Sequence, residues 1–217
     1  MSMKSIVIGL GTQGRKRKQF AGNDYVCSVD PYNDEAEYQN IHDVPLESYD
    51  AALCCTPDDA KLEVLSYLLK NKKHVLVEKP LWINPIDKIE ELEKLANENG
   101  VVCYTAYNHR FEPHFARAKE VISSGKLGKI YSCRMFYGNG TARDVRNSEW
   151  RDQGLGVIPD LGSHLLDTCR FWFGSEGFDF SLMRSHRFEN NAPDHAVLMS
   201  NAGDVHIELE MTLLMWR

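Results

Sequence analysis

Residues 9–14, Gly-Leu-Gly-Thr-Gln-Gly, space their glycines as G-x-G-x-x-G directly behind the apolar run Ser5-Ile6-Val7-Ile8. In that setting Gly9 permits a tight turn, Gly11 lets backbone approach a pyrophosphate, and Gly14 lets the next helix pack closely on the strand. Phosphates would meet the amide N–H groups around Thr12 and Gln13 at the positive end of a helix dipole. Asp30 ends the next apolar run, about twenty residues on, where a carboxylate accepts hydrogen bonds from adenosine ribose hydroxyls. It would repel a 2′-phosphate, which favours NAD over NADP. The plainer reading of Asp30 is a turn residue before Pro31.

Arg15-Lys16-Arg17-Lys18 follows the loop and points instead toward nucleic acid. Four consecutive helical residues lie about 100° apart, so this run rings a helix and forms no continuous basic face. It is expected to add positive potential near the pyrophosphate and otherwise to solvate the helix. The whole chain carries 25 Lys and Arg against 31 Asp and Glu, a formal charge of −6, which opposes a polyanionic partner. No apolar stretch reaches the roughly 18 residues of a membrane helix, and no signal-peptide core follows Met1. The expectation is a cytoplasmic protein with no membrane or nucleic-acid partner. Cys27, Cys54, Cys55, Cys103, Cys133 and Cys169 contain no C-x-x-C pair, which predicts reduced thiols rather than a disulfide framework or zinc site.

The elements needed to hold such a loop are legible. Ser5–Ile8, Tyr25–Asp30, Ala51–Cys55, His74–Val77 and Val101–Tyr104 are short apolar runs suited to strands buried on both faces. Between them Leu62, Leu65, Leu68 and Leu69, then Ile86, Ile89, Leu92 and Leu95, repeat at helical spacing. The pattern predicts an α/β fold, a Rossmann-type doubly wound parallel sheet over residues 1–110. Beyond about residue 128 the period changes to two. Tyr131, Cys133, Met135 and Tyr137 form one face, as do Phe178, Phe180 and Leu182, and Val205 to Leu213 alternates throughout. Residues 111–217 are therefore expected to form an α+β domain with an antiparallel sheet. One helix interrupts it at about Asp160 to Trp172, with Leu161, Leu165, Thr168, Cys169 and Trp172 facing inward. The chain stops within a strand pattern, so this second, substrate-binding and oligomerisation domain is expected to be partial, as if truncated at its C-terminus.

The stretches IVIGLGTQG, CTPDD, KHVLVEKPL, YNHRFEPHF, GKLGKIYSCRMFYGNG and WRDQGLGVIPDLGSHLLD occur in order from residue 6 to about 167. Together they resemble the Gfo/Idh/MocA oxidoreductases, of glucose–fructose oxidoreductase and inositol dehydrogenase type. One departure is Lys61, where members of that family often carry histidine; it bears on the nicotinamide-side contacts. The resemblance implies cofactor contacts from Gly9, Gly11, Thr12, Gln13, Gly14, Asp30, Cys55, Thr56, Pro57, Glu78, Lys79 and Asn108. It implies substrate contacts from Asn108, Arg110, Trp150, Arg151, Asp160 and His164.

The catalytic set implied by the resemblance is Lys79, Asp160 and His164. A lysine at the carboxyl end of a parallel strand lies where open α/β sheets bind ligands, and it can stabilise developing alkoxide charge. A cis Lys79–Pro80 bond is an option at that turn. Asp160 and His164 are i, i+4 on one helix face, with Asp167 beside them; a carboxylate-held histidine suits a general base. A metal site from Asp160, His164 and Asp167 is disfavoured, because this hydride transfer needs no metal. Arg143, Arg146, Trp150 and Arg151 give the 139–154 loop rings and guanidiniums that suit a sugar-like ligand. The expectation is an NAD-dependent oxidoreductase acting on a secondary alcohol of a sugar, sugar acid, sugar nucleotide or cyclitol, and a homo-oligomer through its antiparallel sheet. The alternatives are a non-catalytic NAD-binding sensor, which has no use for a proton-transfer set, and a glycosidase that keeps NAD bound.

Overall fold

Short β-branched runs without polar alternation bury both faces only inside a layered sheet. In this chain β1 (Ser5–Ile8), β2 (Tyr25–Val29), β3 (Ala51–Cys54), β4 (His74–Val77) and β5 (Cys103–Thr105) form such a layer. All pairings are parallel and the order is β2-β1-β3-β4-β5. The computed structural model describes residues 3–149, 151–174, 177–202 and 204–216. It divides into units Met1–Ala106 and Tyr107–Arg217. The expected boundary is 110/111, and Arg110 is ion-paired within the second unit, to Asp167.

In the first unit α2 (Asp58–Lys70) buries Leu65, Leu68 and Leu69 completely, and α3 (Asp87–Asn99) buries Leu92 and Ala96. Ile86, placed in the α3 stripe from spacing, precedes the helix and is exposed. α1 (Thr12–Ala21) is different, because its one buried residue is Gly14. It is anchored by charge rather than by an apolar face. Arg15 pairs with Glu35 at 2.5 Å, Arg17 with Glu78 at 2.5 Å, and Lys18 with Glu37 at 3.6 Å. Three of the four cations in the basic run are thus matched to acids of the same unit, while Arg15 and Lys16 remain solvent-exposed.

The second unit holds α4 (Pro113–Ser123), α5 (Ala142–Arg146), α6 (Ser163–Phe173) and a four-stranded sheet. Its strands are β6 (Ser132–Gly138), β7 (Ser181–His186), β8 (His195–Ala202) and β9 (Val205–Thr212), in the order β6-β9-β8-β7. β7, β8 and β9 are an antiparallel meander, but β6 runs parallel to β9, so the sheet is mixed rather than antiparallel. Period-two patterning fixes which face is buried and says nothing of direction. Direction follows from the long crossover through α6 that separates β6 from the meander. Cys133, Met135 and Tyr137 pack on the core side with Ile207, Leu209 and Met211, beneath Leu161, Leu165 and Cys169. Phe178 and Phe180 stack at 5.7 Å but precede β7, and every residue of that edge strand is exposed. The six cysteines are free thiols. No helix among the described residues is long and apolar enough to cross a membrane.

Candidate functional site

The turn after β1 sits where the chain reverses its direction across the sheet, β2 lying on one side of β1 and β3 on the other. Open α/β sheets bind ligands at the carboxyl edge of that switch point. The three glycines of the loop differ in what demands them. Gly9 has φ +86°, and a Cβ there would lie 2.7 Å from the Cys55 carbonyl oxygen. A Cβ on Gly14 would collide with the Gly9 carbonyl oxygen. Gly11 adopts φ −75°, open to any residue, and a Cβ there meets no protein atom within 4 Å. Protein packing therefore explains Gly9 and Gly14 but not Gly11. Gly11 is the N-cap residue of α1, whose first turn has no side-chain cap and no acidic residue and whose first internal bond runs from Arg15 N–H to the Gly11 carbonyl. N–H groups ahead of that bond, in the Thr12–Gln13 turn, suit a pyrophosphate.

Asp30 Oδ2 accepts from Leu10 N–H at 2.7 Å and Oδ1 from Tyr32 N–H at 2.9 Å. The carboxylate thus braces both the glycine loop and its own turn, and its two oxygens retain acceptor capacity for ribose hydroxyls. Across the loop, Cys55 N–H donates to the Ile8 carbonyl at 2.7 Å, which sets the Cys55-Thr56-Pro57 turn beside Gly9. Thr56 Oγ1 is buried there without a hydrogen-bond partner, the kind of atom a bound ligand satisfies. Burial pushes the Cys55 thiol up to about 12, with the Glu78 carboxylate adding to the shift, so it stays a neutral thiol.

Glu78 and Lys79 leave β4 at the same carboxyl edge, and the Lys79–Pro80 bond is cis, as is Asn84–Pro85. The Glu78 carboxylate is held by Arg17, with Nε at 2.7 Å and Nη2 at 2.5 Å. Glu78 is therefore tied first to α1. Lys61, the departure that follows the Thr56-Pro57 turn, is 2% exposed. Its ammonium donates to Asp58 Oδ1 at 2.6 Å, the Glu78 carbonyl at 3.0 Å and the Pro80 carbonyl at 2.5 Å.

In the second unit the Asp160 and His164 stretch is not one regular helix. Ile158–Gly162 forms a π-turn that leads into α6, so Asp160 sits on the wider turn and His164 on the α-helix. Such turns concentrate at functional sites. A Cβ on Gly162 would lie 2.6 Å from Met211 Sδ, so glycine lets this turn press onto β9. Asp160 Oδ2 accepts from Arg151 Nη2 at 3.3 Å, which brings two expected site residues together. Asp167, expected beside His164 on the same helix, is gripped by Arg110, whose Nη2 donates to Oδ1 at 2.6 Å and Nε to Oδ2 at 2.8 Å. Arg110 also lies over the Phe171 ring at 5.5 Å. Asn108 is exposed at the start of a short 3₁₀ turn and donates to Glu112 at 3.1 Å. Trp150 lies outside the described residues.

His164 is buried among rings. Its centroid lies 4.7 Å from His109, 5.9 Å from Tyr107 and 5.9 Å from Tyr137. Burial raises the Tyr107 hydroxyl, reinforced by the Asp167 charge, and raises the Tyr137 hydroxyl, reinforced by Asp160 and Glu112. His109 stacks on Phe115 at 4.7 Å, and its buried Nδ1 has no hydrogen-bond partner. These three neighbours were missed from sequence. Tyr107 and His109 alternate with Asn108 and Arg110, so inspecting both sides of that short turn would have found them; Tyr137 carried only a core signal. Among the described residues no group of three or more His, Cys, Asp or Glu converges as a metal site.

Comparison with known proteins covers both units. Residues 3–107 match the model of the oxidoreductase family NAD-binding Rossmann fold, and residues 115–217 match the GFO/IDH/MocA C-terminal domain. A myo-inositol 2-dehydrogenase from Thermotoga maritima is 30% identical over 145 residues, 65% of this chain and 42% of that protein. A scyllo-inositol 2-dehydrogenase (NAD(+)) from Bacillus subtilis is 26% identical over 194 residues, 80% of this chain and 55% of that one. The chain thus spans about half or less of the curated relatives it matches. Among solved structures, an oxidoreductase from Agrobacterium radiobacter in complex with NAD+, L-tartaric acid and magnesium superposes with a TM-score of 0.85 at 17% identity. That match covers 100% of this chain and 68% of the other. A myo-inositol 2-dehydrogenase from Lactobacillus plantarum gives 0.84 at 17% identity, covering 99% and 71%. At such identities these two establish the fold.

Proposed function

The chain belongs to the Gfo/Idh/MocA oxidoreductases, with an NAD-binding Rossmann domain, and from that premise we propose that it is an NAD-dependent dehydrogenase of polyhydroxylated substrates. The reaction is hydride transfer between the nicotinamide and a secondary alcohol of a sugar, sugar acid, sugar nucleotide or cyclitol. The observation that carries the cofactor assignment is Gly11, a loop position that no protein atom requires to be glycine. Asp30 at the end of β2 favours NAD, because a carboxylate beside the ribose would repel a 2′-phosphate. The inositol dehydrogenases among the relatives support the substrate class.

Bound NAD would supply the hydride acceptor. The chain's own groups would do the rest. The Gly11–Gly14 turn holds phosphate oxygens with backbone N–H groups. Lys79 donates to the reacting hydroxyl oxygen and stabilises negative charge as it develops there. His164 takes the hydroxyl proton, its ring held in place by Tyr107, His109 and Tyr137. Asp160 and Arg151 contact substrate hydroxyls. A homo-oligomer formed through the open face of the second sheet belongs to the same proposal.

The test follows NAD reduction at 340 nm with a panel of sugars, sugar acids, sugar nucleotides and inositols. With the substrate so found, His164→Ala is expected to lower kcat about 10²- to 10⁴-fold, the range of a general base. Lys79→Ala should lower it about 10²- to 10³-fold. NAD affinity in His164→Ala should stay within a few-fold of the parent. Failure to bind NAD, or turnover unchanged in both variants, defeats the proposal.

A further inference from the structure

Lys61 is a buried cation that the dehydrogenase reading does not use. A charged side chain at 2% exposure is tolerated only when each of its donors is matched. Its ammonium has three N–H donors and the surroundings present three acceptors. One is the Asp58 carboxylate at 2.6 Å, in the first turn of the same helix. The other two are the backbone carbonyls of Glu78, at 3.0 Å, and Pro80, at 2.5 Å. Those carbonyls belong to the residues immediately before and after Lys79.

We infer that Lys61 is a positioning residue that grips the peptide on both sides of Lys79 and so fixes where the Lys79 ammonium is held. The inference rests on the reading of Lys79 as the group that meets the substrate oxygen. The geometry favours this role over simple filling of the core. An apolar residue on the inward face of α2 would pack as Leu65, Leu68 and Leu69 do, without the cost of desolvating an ammonium. A charge-assisted bond is stronger than a neutral one, and two of them straddle a single residue. The carboxylate of Glu78 is held separately by Arg17 on α1, so the turn is tied by its backbone to α2 and by its side chain to α1. With the flanking peptides held, the Lys79 side chain keeps only its own torsions to adjust when it meets substrate.

The experiment needs no substrate. The protein is treated with limiting sulfo-N-hydroxysuccinimide acetate, and acetylation of each lysine is followed by peptide mass spectrometry in the parent, Lys61→Met and Lys61→Gln. Lys94, with its side chain 77% exposed, serves as the internal standard. Lys61→Met is expected to speed acetylation of half-buried Lys79 at least threefold relative to Lys94. Lys61→Gln, which keeps an amide donor, should give a smaller rise. NAD affinity, measured by titration, is expected to stay within threefold in both. If Lys61→Met does not fold, Lys61→Gln carries the test.

The inference is overturned if Lys79 labels at the parental rate in a folded variant. It is also overturned if all lysines speed up together, or if neither variant folds, since Lys61 would then act on stability alone. Turnover separates this from the dehydrogenase reading. Full activity in Lys79→Ala sinks that reading while the labelling result stands. Loss of activity in Lys79→Ala with unchanged labelling sinks only the role of Lys61.

Discussion

Gly11 and Gly14 are chemically identical residues three positions apart, yet their substitutions should fail in different ways. A methyl group on Gly14 collides with the carbonyl of Gly9, a backbone atom that cannot step aside. Gly14→Ala is therefore expected to cost about 3 kcal/mol or more of stability, in the range reserved for backbone strain and overpacking. Gly11→Ala places its methyl in open space at an ordinary φ, so its melting temperature should remain within about 2 °C of the parent. The same methyl would occupy the approach of a pyrophosphate, and NAD affinity should fall at least tenfold, about 1.4 kcal/mol. Paired melts and NAD titrations check both. A Gly11→Ala protein that binds NAD like the parent would remove the main support for the cofactor site. Spacing alone identified all three loop glycines but could not separate the two that packing requires from the one a ligand requires.

At the scale of elements, charged side chains add ties between pieces of chain that are distant or irregular, beyond what the apolar cores hold. Asp167 on α6 has a side chain only 8% exposed and holds Arg110 bidentately. Removing the arginine leaves a buried carboxylate without its partner. Arg110→Ala is expected to lose about 2–4 kcal/mol in denaturant titration, and Arg110→Ala/Asp167→Ala less than the sum of the two single losses. A second tie joins β2 to the segment after it. Glu37 Oε2 accepts from the Ser28 N–H at 2.8 Å, the Ser28 hydroxyl at 2.6 Å and the Tyr25 hydroxyl at 2.8 Å. Burial alone would raise this carboxyl, but those bonds outweigh it and hold its pKa near 2, against an ordinary 4.5. A depressed folded-state pKa stabilises above the unfolded value, and that contribution is lost as the pH falls toward 2. Melts of the parent and Glu37→Gln across pH 2–7 should show the parent ahead above about pH 4.5. The gap should close on acidification. Neither tie was visible in the sequence, because Arg110 and Asp167, 57 residues apart, share no local pattern.

At the scale of the molecule, the second sheet leaves one face away from its core. Phe136, Glu210, Val197 and Arg184 form one cross-strand row on that face, and Arg134, Glu208, Met199 and Ser181 form the next. Phe136 is 53% exposed, so charging it should hardly disturb the fold. If the proposed oligomer uses this face, Phe136→Asp will shift it toward monomer at micromolar concentration, read by sedimentation velocity, with an unchanged melting temperature at high dilution. An unaltered oligomer in Phe136→Asp places the interface elsewhere. The row is mixed in character, with Arg134 3.7 Å from Glu208 and His195 Nε2 3.1 Å from Glu210, so salt should also affect the equilibrium.

What the sequence determined by itself was everything that depends on short-range periodicity and on residue types with one dominant use. Five apolar β-branched runs, two leucine- and isoleucine-striped helices and a period-two second half could bury their apolar faces only as a parallel layer and a separate half-wet sheet. The G-x-G-x-x-G turn, Asp30 and the cis-capable Lys79–Pro80 step were legible for the same reason, since each is a local arrangement. The tertiary structure alone decided the direction of β6, the π-turn beneath Asp160, the acids that neutralise Arg15, Arg17 and Lys18, and the rings around His164. It also placed the buried ammonium of Lys61 between two carbonyls from another element. These are partnerships between residues far apart in the chain. Any acid can neutralise a given cation and any carbonyl can accept from a given ammonium, so only the packed backbone selects which one does.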